Sequence, residues 1–506
     1  MRLNMFSVAY PLPREYTARV TDSLSEGTLL AIRLSDRSFG AGQIIADLDG
    51  SWDVVALDWT GPEPPRATTL RGVKPLQLTD HGQGSTVARI VTHTMPPAGF
   101  DTIGSAKPTV RGPPPQNHGP WTWLVERIEA EAAWSRLPPA EVARYQRCRK
   151  NGQTTSRYSV GHAAYCDAVV APGAVFDWAR LDELGCLYEL EVVGPLEGLF
   201  DYLATRRMIK KVRWHAHGVA ELDASALELD TLNVDVPQGG LHLTVGNVRC
   251  LAIVDWSAAG RVAIDHQHDG AGLLLDLLST ARASLSVSLE NLPQLSELSA
   301  SNLGHVDGRA LASYPQLRTL RLLGERMTFV NVSELAKLDK LEHFELWDCY
   351  NIDEAGLPQL DALPHLQSAE FNGLRQRAAQ AIKKRWAKLP KLAVRGAKGD
   401  AWLAANADNP FNDWIDHHDA AVANAACAAY RKSFAKLSKL KAGQRAIMGE
   451  EVKSFVAAFN RLPPDATMDT LDAEAIWDAL VQLVAAAKLE VEPEALQVWF
   501  DQAREF

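Results

Sequence analysis

Apolar residues along this chain recur at three different spacings, and each change of spacing marks a boundary. Between residues 26 and 59 (EGTLLAIRLSDRSFGAGQIIADLDGSWDVVALDW), runs rich in Leu, Ile and Val are broken at Ser35-Asp36-Arg37, Gly40 to Gly42 and Asp49-Gly50. Short apolar runs separated by turn residues predict antiparallel strands joined by tight turns, here closing into a small β-barrel that ends near Thr94. From residue 187 the pattern changes to apolar residues at positions one, four and six. It is met at Leu187, Leu190, Val192; Ile209, Val212, Trp214; Leu229, Leu232, Val234; and Val248, Leu251, Ile253. It returns more clearly at Leu295, Leu298, Ala300; Leu317, Leu320, Leu322; Leu341, Phe344, Leu346; and Leu366, Ala369, Phe371. The first positions of these last four are 22, 24 and 25 residues apart, and between Ala259 and Leu289 no register is evident. A helical period marks residues 121–137 (WTWLVERIEAEAAWSRL), a second stretch after Pro138-Pro139, and alanine-rich segments at 419–440, 449–462 and 472–487, split by Pro463-Pro464 and the Pro493 region.

Residues 341–360 (LEHFELWDCYNIDEAGLPQL), with Cys349 in the turn after the strand positions, resemble a leucine-rich repeat of the cysteine-containing kind. One such coil cannot bury its own apolar side, so neighbours must stack, each adding a short parallel strand. The reading is therefore a multidomain α+β chain: a small N-terminal antiparallel β-barrel, a leucine-rich-repeat solenoid of parallel strands with helices or irregular turns, and a C-terminal α-helical domain. Its expected parts are 1–107, a β-barrel-like domain; 108–120 (PTVRGPPPQNHGP), a Pro/Gly linker; 121–180, a helical cap; 181–374, the solenoid; 375–408, a basic capping helix and linker; and 409–506, the helical domain.

Charge and chemistry narrow the function. A net charge of −10 disfavours general nucleic-acid binding, which needs a cationic surface. The basic run from Arg375 to Lys398 reads instead as a solvated capping helix, because Trp386 alone offers no stacking platform. Residues 1–11 lack an apolar run after a basic start, and no stretch is long and apolar enough to span a bilayer, which predicts a cytoplasmic chain without membrane association. Six scattered cysteines without C-x-x-C predict buried, reduced thiols. No G-x-S-x-G, H-E-x-x-H or complete phosphate loop occurs, so no catalytic residue, metal or cofactor is assigned. Gly40 and Gly42 read as a strand bulge. The pairs His215/His217 and His266/His268 would need a third ligand from a neighbouring coil to hold a metal, and surface or turn histidine is the simpler reading. Asp416-His417-His418-Asp419 reads as a helix start.

Gly27, Ala31, Ile32, Leu34, Asp36, Phe39, Gly40, Gly42, Gln43, Ile44 and Ile45 follow a pattern in which a strand ending A-I-x-L precedes an aromatic-Gly turn and G-Q-I-I. In this the segment resembles the immunity protein 26 family of bacteria; Thr28 stands where that family has an acidic residue. The resemblance implies neutralisation of a toxin delivered by a rival cell. The expected function is therefore a non-enzymatic immunity protein that binds a polymorphic or secreted antibacterial toxin, such as a basic, nuclease-like domain, through its repeat surface. The alternative is a regulatory or scaffolding repeat protein that recruits an endogenous partner. Strand alternation predicts the residues facing that partner on the concave side. They are Glu189, Glu191, Lys211, Arg213, His215, Asn233, Asp235, Glu297, Arg321, His343, Glu345, Trp347, Glu370 and Asn372, with Trp347 the foremost anchor.

Overall fold

The computed structural model describes residues 24–34, 38–48, 51–78, 87–92, 96, 99–115, 118–257, 261–285, 292–441, 444–462, 468, 470–488 and 491–505. The expected turns at Ser35-Asp36-Arg37 and Asp49-Gly50, the end near Thr94, the break at Pro463-Pro464 and the stretch read for a leader lie outside these residues. The chain divides into two compact units, 1–142 and 143–506, taken here one at a time.

In the first unit, β1 (Thr28–Arg33), β2 (Phe39–Asp47), β3 (Trp52–Gly61), β4 (Arg89–Thr92) and β5 (Phe100–Ser105) form one antiparallel sheet in the order β4-β3-β2-β1-β5. Among the described residues β4 and β5 are its two edges, so the sheet is open and the expected barrel is not formed. Both faces are covered instead of closing on each other. Leu29, Ala41, Ile45, Val55 and Leu57 pack with Leu70 on one side. Leu30, Ile32, Ile44, Val54 and Ile90 pack on the other with Trp121, Leu124 and Ile128 of the segment leading into and forming α1 (Thr122–Ser135). The first predicted cap helix thus belongs to this small sheet. Gly40 explains part of the fit, since a Cβ there would lie 2.9 Å from Ile128 Cδ1. The expected bulge is found at this point, where the β2–β3 register shifts between Gly40 and Ala41.

Two buried polar groups secure the sheet to the stretch that follows it. Gln43 donates through Nε2 to the carbonyls of Ala106 (3.0 Å) and Lys107 (3.2 Å), while its Oε1 accepts from Thr109 N and Oγ1, both at 2.9 Å. Arg89 donates to both oxygens of Asp53 within the sheet, at 2.8 and 2.5 Å, and through Nη2 to Gly112 O of the following stretch at 3.4 Å. Every hydrogen-bonding site of the buried amide is used, which is the condition under which burying it costs little.

α2 (Pro139–Lys150) crosses the boundary between units, and its second half meets residues 182–185: Arg144 pairs with Asp182 at 3.3 Å and Cys148 Sγ accepts from Gly185 N at 3.3 Å. The second unit is built on a 14-stranded parallel sheet. Its strands are β6 (Arg157–Gly161), β7 (Ala168–Val169), β8 (Glu189–Val193), β9 (Lys211–His215), β10 (Glu221–Asp235), β11 (Leu241–Val254), β12 (Val262–His266), β13 (Leu274–Leu278), β14 (Ala283–Leu285), β15 (Glu297–Asp307), β16 (Thr319–Val330), β17 (His343–Ile352), β18 (Ser368–Asn372) and β19 (Lys391–Arg395). The order β19-β18-β17-β16-β15-β13-β11-β10-β9-β8-β6-β7 follows the chain except at β7, with β12 beside β11 and β14 beside β15. Among the described residues the connections include short turns and single helical turns, such as α3 (Leu199–Ala204) and α4 (Gly308–Leu311), with one longer helix between β18 and β19.

The one-four-six pattern sets the register. Leu190, Val212, Leu232, Leu251, Leu275, Leu298, Leu320, Phe344, Ala369 and Leu392 stand side by side across the sheet, as do Val192, Trp214, Val234, Ile253, Leu277, Ala300, Leu322, Leu346, Phe371 and Val394. Nearly all of these are buried and belong to one continuous core. The doubtful coil at Val248, Leu251, Ile253 is in register, and the unassigned interval contains β13. The sheet also runs past both expected ends, through β6 inside the predicted helical cap and β19 inside the predicted basic linker. Close approach between β10 and β11 requires glycine at 246, where a Cβ would sit 2.0 Å from Ser225 O. Gly246→Ala is expected to cost about 1–3 kcal/mol by overpacking, read as a lowered urea midpoint.

Beyond β18, α5 (Gln376–Arg385) turns Ala378, Ala379 and Ile382 into the same core and leaves Lys383 and Lys384 outside. α6 (Asp400–Asn406), α7 (Trp414–His417), α8 (Ala420–Leu437), α9 (Arg445–Phe459), α10 (Thr470–Ala486) and α11 (Pro493–Ala503) make the C-terminal helical part around Phe411, Phe455, Phe459, Leu480 and Phe500. The Asp-His-His-Asp group ends α7 as well as preceding α8, and His418 Nε2 lies 2.8 Å from Asp472 Oδ1.

Candidate protein-binding face

All fourteen predicted facing residues lie on strands of the parallel sheet, alternating with the buried ladders. Register brings them into rows. One contains Glu189 and Lys211 and, farther along, Glu297 and His343; a second contains Glu191, Arg213 and Asn233, then Arg321, Glu345 and Glu370; a third contains His215, then Trp347 and Asn372. Asp235 ends β10 beside His215. Most are half-buried; Lys211 is exposed, whereas Asn372 is only 9% exposed and its Oδ1 has no hydrogen-bond partner.

The charges are held in cross-strand pairs. Arg157 reaches Glu189 (3.6 Å) and Glu191 (3.2 Å), and Arg213 reaches Glu189 from the other side at 3.4 Å. Arg321 Nε donates to Glu345 Oε1 at 3.2 Å, and Arg395 lies 3.7 Å from Glu370. Asp235 takes His215 Nδ1 at 3.0 Å and the Ala216 N–H at 2.8 Å. His343 Nδ1 is 2.7 Å from Ser368 Oγ, and burial holds the pKa of this ring below its ordinary value. Each partner stands one strand over, some 20 to 35 residues away in sequence. Arg157, Ser368 and Arg395 therefore escape a reading of sequence alone, although the L-x-x-L-x-V of Leu389 to Val394 carried the signal for β19.

The histidine pairs do not converge as metal ligands. His215 is on the outward face, but His217 lies past the strand, 1% exposed and against Trp214 at 5.3 Å. Its Nδ1 accepts from Val219 N at 3.0 Å, leaving Nε2 to donate to Asp235 O at 2.6 Å, and burial pushes its pKa down. His266 closes a turn by accepting at Nδ1 from the N–H groups of His268 and Gly270, both at 3.1 Å. Among the described residues no group of three His, Cys, Asp or Glu could hold a metal ion. All six cysteines are unbridged. Burial pushes the Cys250 thiol up to about 11 and those of Cys349 and Cys427 up to about 12, which disfavours the reactive thiolate.

A cleft of 490 Å³ opens elsewhere in the second unit, beside the ends of β16 and β17 and the start of α5. Its arginines are neutralised within it: Arg377 makes two 3.2 Å contacts to Glu354, and Arg375 lies 3.6 Å from Asp400. Among the described residues no helix is long and apolar enough to cross a membrane. No protein-family model matches the chain, and no curated protein is similar to it.

Proposed function

We propose that the parallel sheet is a leucine-rich-repeat solenoid, and that the chain is a cytoplasmic bacterial immunity protein which binds and neutralises an antibacterial toxin on the outward face of that sheet, without catalysis. The observation that carries this reading is the face itself: charged and aromatic side chains, most of them half-buried, with several of the charges already fixed by cross-strand ion pairs. A surface ordered before encounter loses less side-chain freedom on binding. The 19- to 25-residue steps between paired ladder positions from β8 to β19 support the repeat architecture, and the resemblance of residues 27–45 to the immunity protein 26 family supports the toxin as partner. A net charge of −10 favours a basic toxin such as a nuclease-like domain, because opposite charge speeds encounter and excludes wrong partners.

The test is co-expression with each toxin encoded beside this gene, scoring growth and co-purification. Rescue of growth by a stable complex is expected; if every neighbouring toxin is neither bound nor neutralised, the reading is wrong. Within such a complex, Trp347→Ala is expected to weaken affinity about 30-fold, the effect of losing a hot spot of about 2 kcal/mol, by calorimetric titration with the unfolding midpoint as control.

A further inference from the structure

We infer that the outward face contains a seat for one lysine or arginine side chain of the protein partner, centred on Asp276 of β13. The inference rests on the proposal that this face binds protein, and it names the chemistry of one contact.

Register defines the seat. Asp276 stands between Ala252 of β11 and Ser299 of β15, and its own strand places Leu274 and Leu278 on the same face. Cys250 and Val254 lie opposite those two leucines. The carboxylate therefore projects from a frame of apolar and small side chains, with Glu297 at the adjacent corner opposite Leu274.

Elsewhere on these rows, Glu189, Glu191, Asp235, Glu345 and Glu370 each have a cationic or imidazole partner within 4 Å. Among the described residues Asp276 and Glu297 have none. The nearest cation in the row, Arg321, is committed to Glu345. Burial raises the pKa of Asp276 against the smaller opposing effects of its Ser299 hydrogen bond and Arg321, so the charged carboxylate is only partly compensated. On the far side of Ala252, Asn233 Oδ1 is shielded from solvent and among the described residues has no hydrogen-bond partner. Strands about 4.8 Å apart put the backbones of Asn233 and Asp276 roughly 10 Å from each other, with only the small Ala252 between them.

The frame also selects the kind of cation. A metal ion needs several oxygen ligands and keeps its water, neither of which suits Leu274, Leu278 and Val254. Lysine and arginine carry methylene stems that cover apolar surface while the charged head reaches a carboxylate. Closing such a contact against a partner removes the remaining water and strengthens the pair.

The test uses twelve-residue peptides with leucine and tyrosine flanks, differing only in a central Arg, Lys, Gln or Glu, titrated by fluorescence anisotropy against the full chain. Arg- and Lys-centred peptides are expected to bind at least tenfold more tightly than the Gln and Glu peptides, and Asp276→Asn to abolish that preference while Asp361→Asn, on an exposed helical turn between β17 and β18, retains it. Ser299→Lys, which supplies a cation in place, is expected to abolish it too and gives a second reading should Asp276→Asn fold poorly. Absence of saturable binding, equal binding of the Gln peptide, or a preference that survives both variants overturns the seat. A toxin still bound by Asp276→Asn as tightly as by the unaltered chain, yet weakened by Trp347→Ala, removes the seat and leaves the proposed face standing.

Discussion

Trp386→Ala is expected to lower the stability of the second unit by about 3–5 kcal/mol, the usual range for deleting a large buried aromatic ring. The indole is fully buried at the end of α5, with its ring centroid 5.4 Å from that of Phe371 and 6.3 Å from that of Phe344. Its Nε1 donates to Pro358 O at 3.0 Å, so truncation also strands a buried carbonyl. Urea unfolding followed by circular dichroism should show an earlier loss of the sheet signal. Trp386→Phe, which keeps most of the packing and loses the hydrogen bond, should fall between the two. A variant as stable as the parent would mean that α5 does not close this end of the sheet.

Lys398→Ala is expected to have an effect of similar size, about 3–5 kcal/mol, for a different reason. Lys398 has no solvent exposure, and its Nζ donates to Asp348 Oδ1 at 2.9 Å and Tyr350 Oη at 3.2 Å, with the ammonium 5.3 Å from the Tyr350 ring centroid. Removing the side chain deletes buried methylenes and breaks an ion pair whose cation is fully desolvated. Tyr350 Oη in turn donates to Asn412 Oδ1 at 3.2 Å, and Arg326 meets Asp408 at 2.7 Å, so the lysine sits where the sheet joins the C-terminal helices. Limited proteolysis should therefore cut Lys398→Ala first between residues 399 and 419. Lys398→Met, which fills the space without the charge, separates packing from pairing: recovery of more than half the loss would assign the larger share to packing.

The inward ladders were legible because each apolar position repeats at a step that the chain must keep in order to stack. Among the strands that the pattern did not reveal, two were hidden for local reasons. In β13 the first position of the pattern is Gly272, and the unbroken run Leu273-Leu274-Leu275 erases the alternation. In β19, the charges around Leu389, Leu392 and Val394 drew attention from a regular repeat. The open five-stranded sheet was misread as a barrel because strands and turns alone do not reveal what covers each face. That required the contact of Trp121, Leu124 and Ile128. Facing residues could be named from alternation, but their pairing could not, since Arg213 and Glu189 become neighbours only through the register of β8 on β9. Asp276 was missed with its strand.

The parallel register gives the molecule a modular economy of change. Since each step of 19 to 25 residues from β8 to β19 lays down one rung and meets only the rungs on either side, an in-frame duplication or loss of one step leaves the other rungs paired as before. Outward residues can vary singly while the leucines beneath them stay constant. Such a scaffold can change the side chains its outward face presents by swapping cassettes, without reinventing its core.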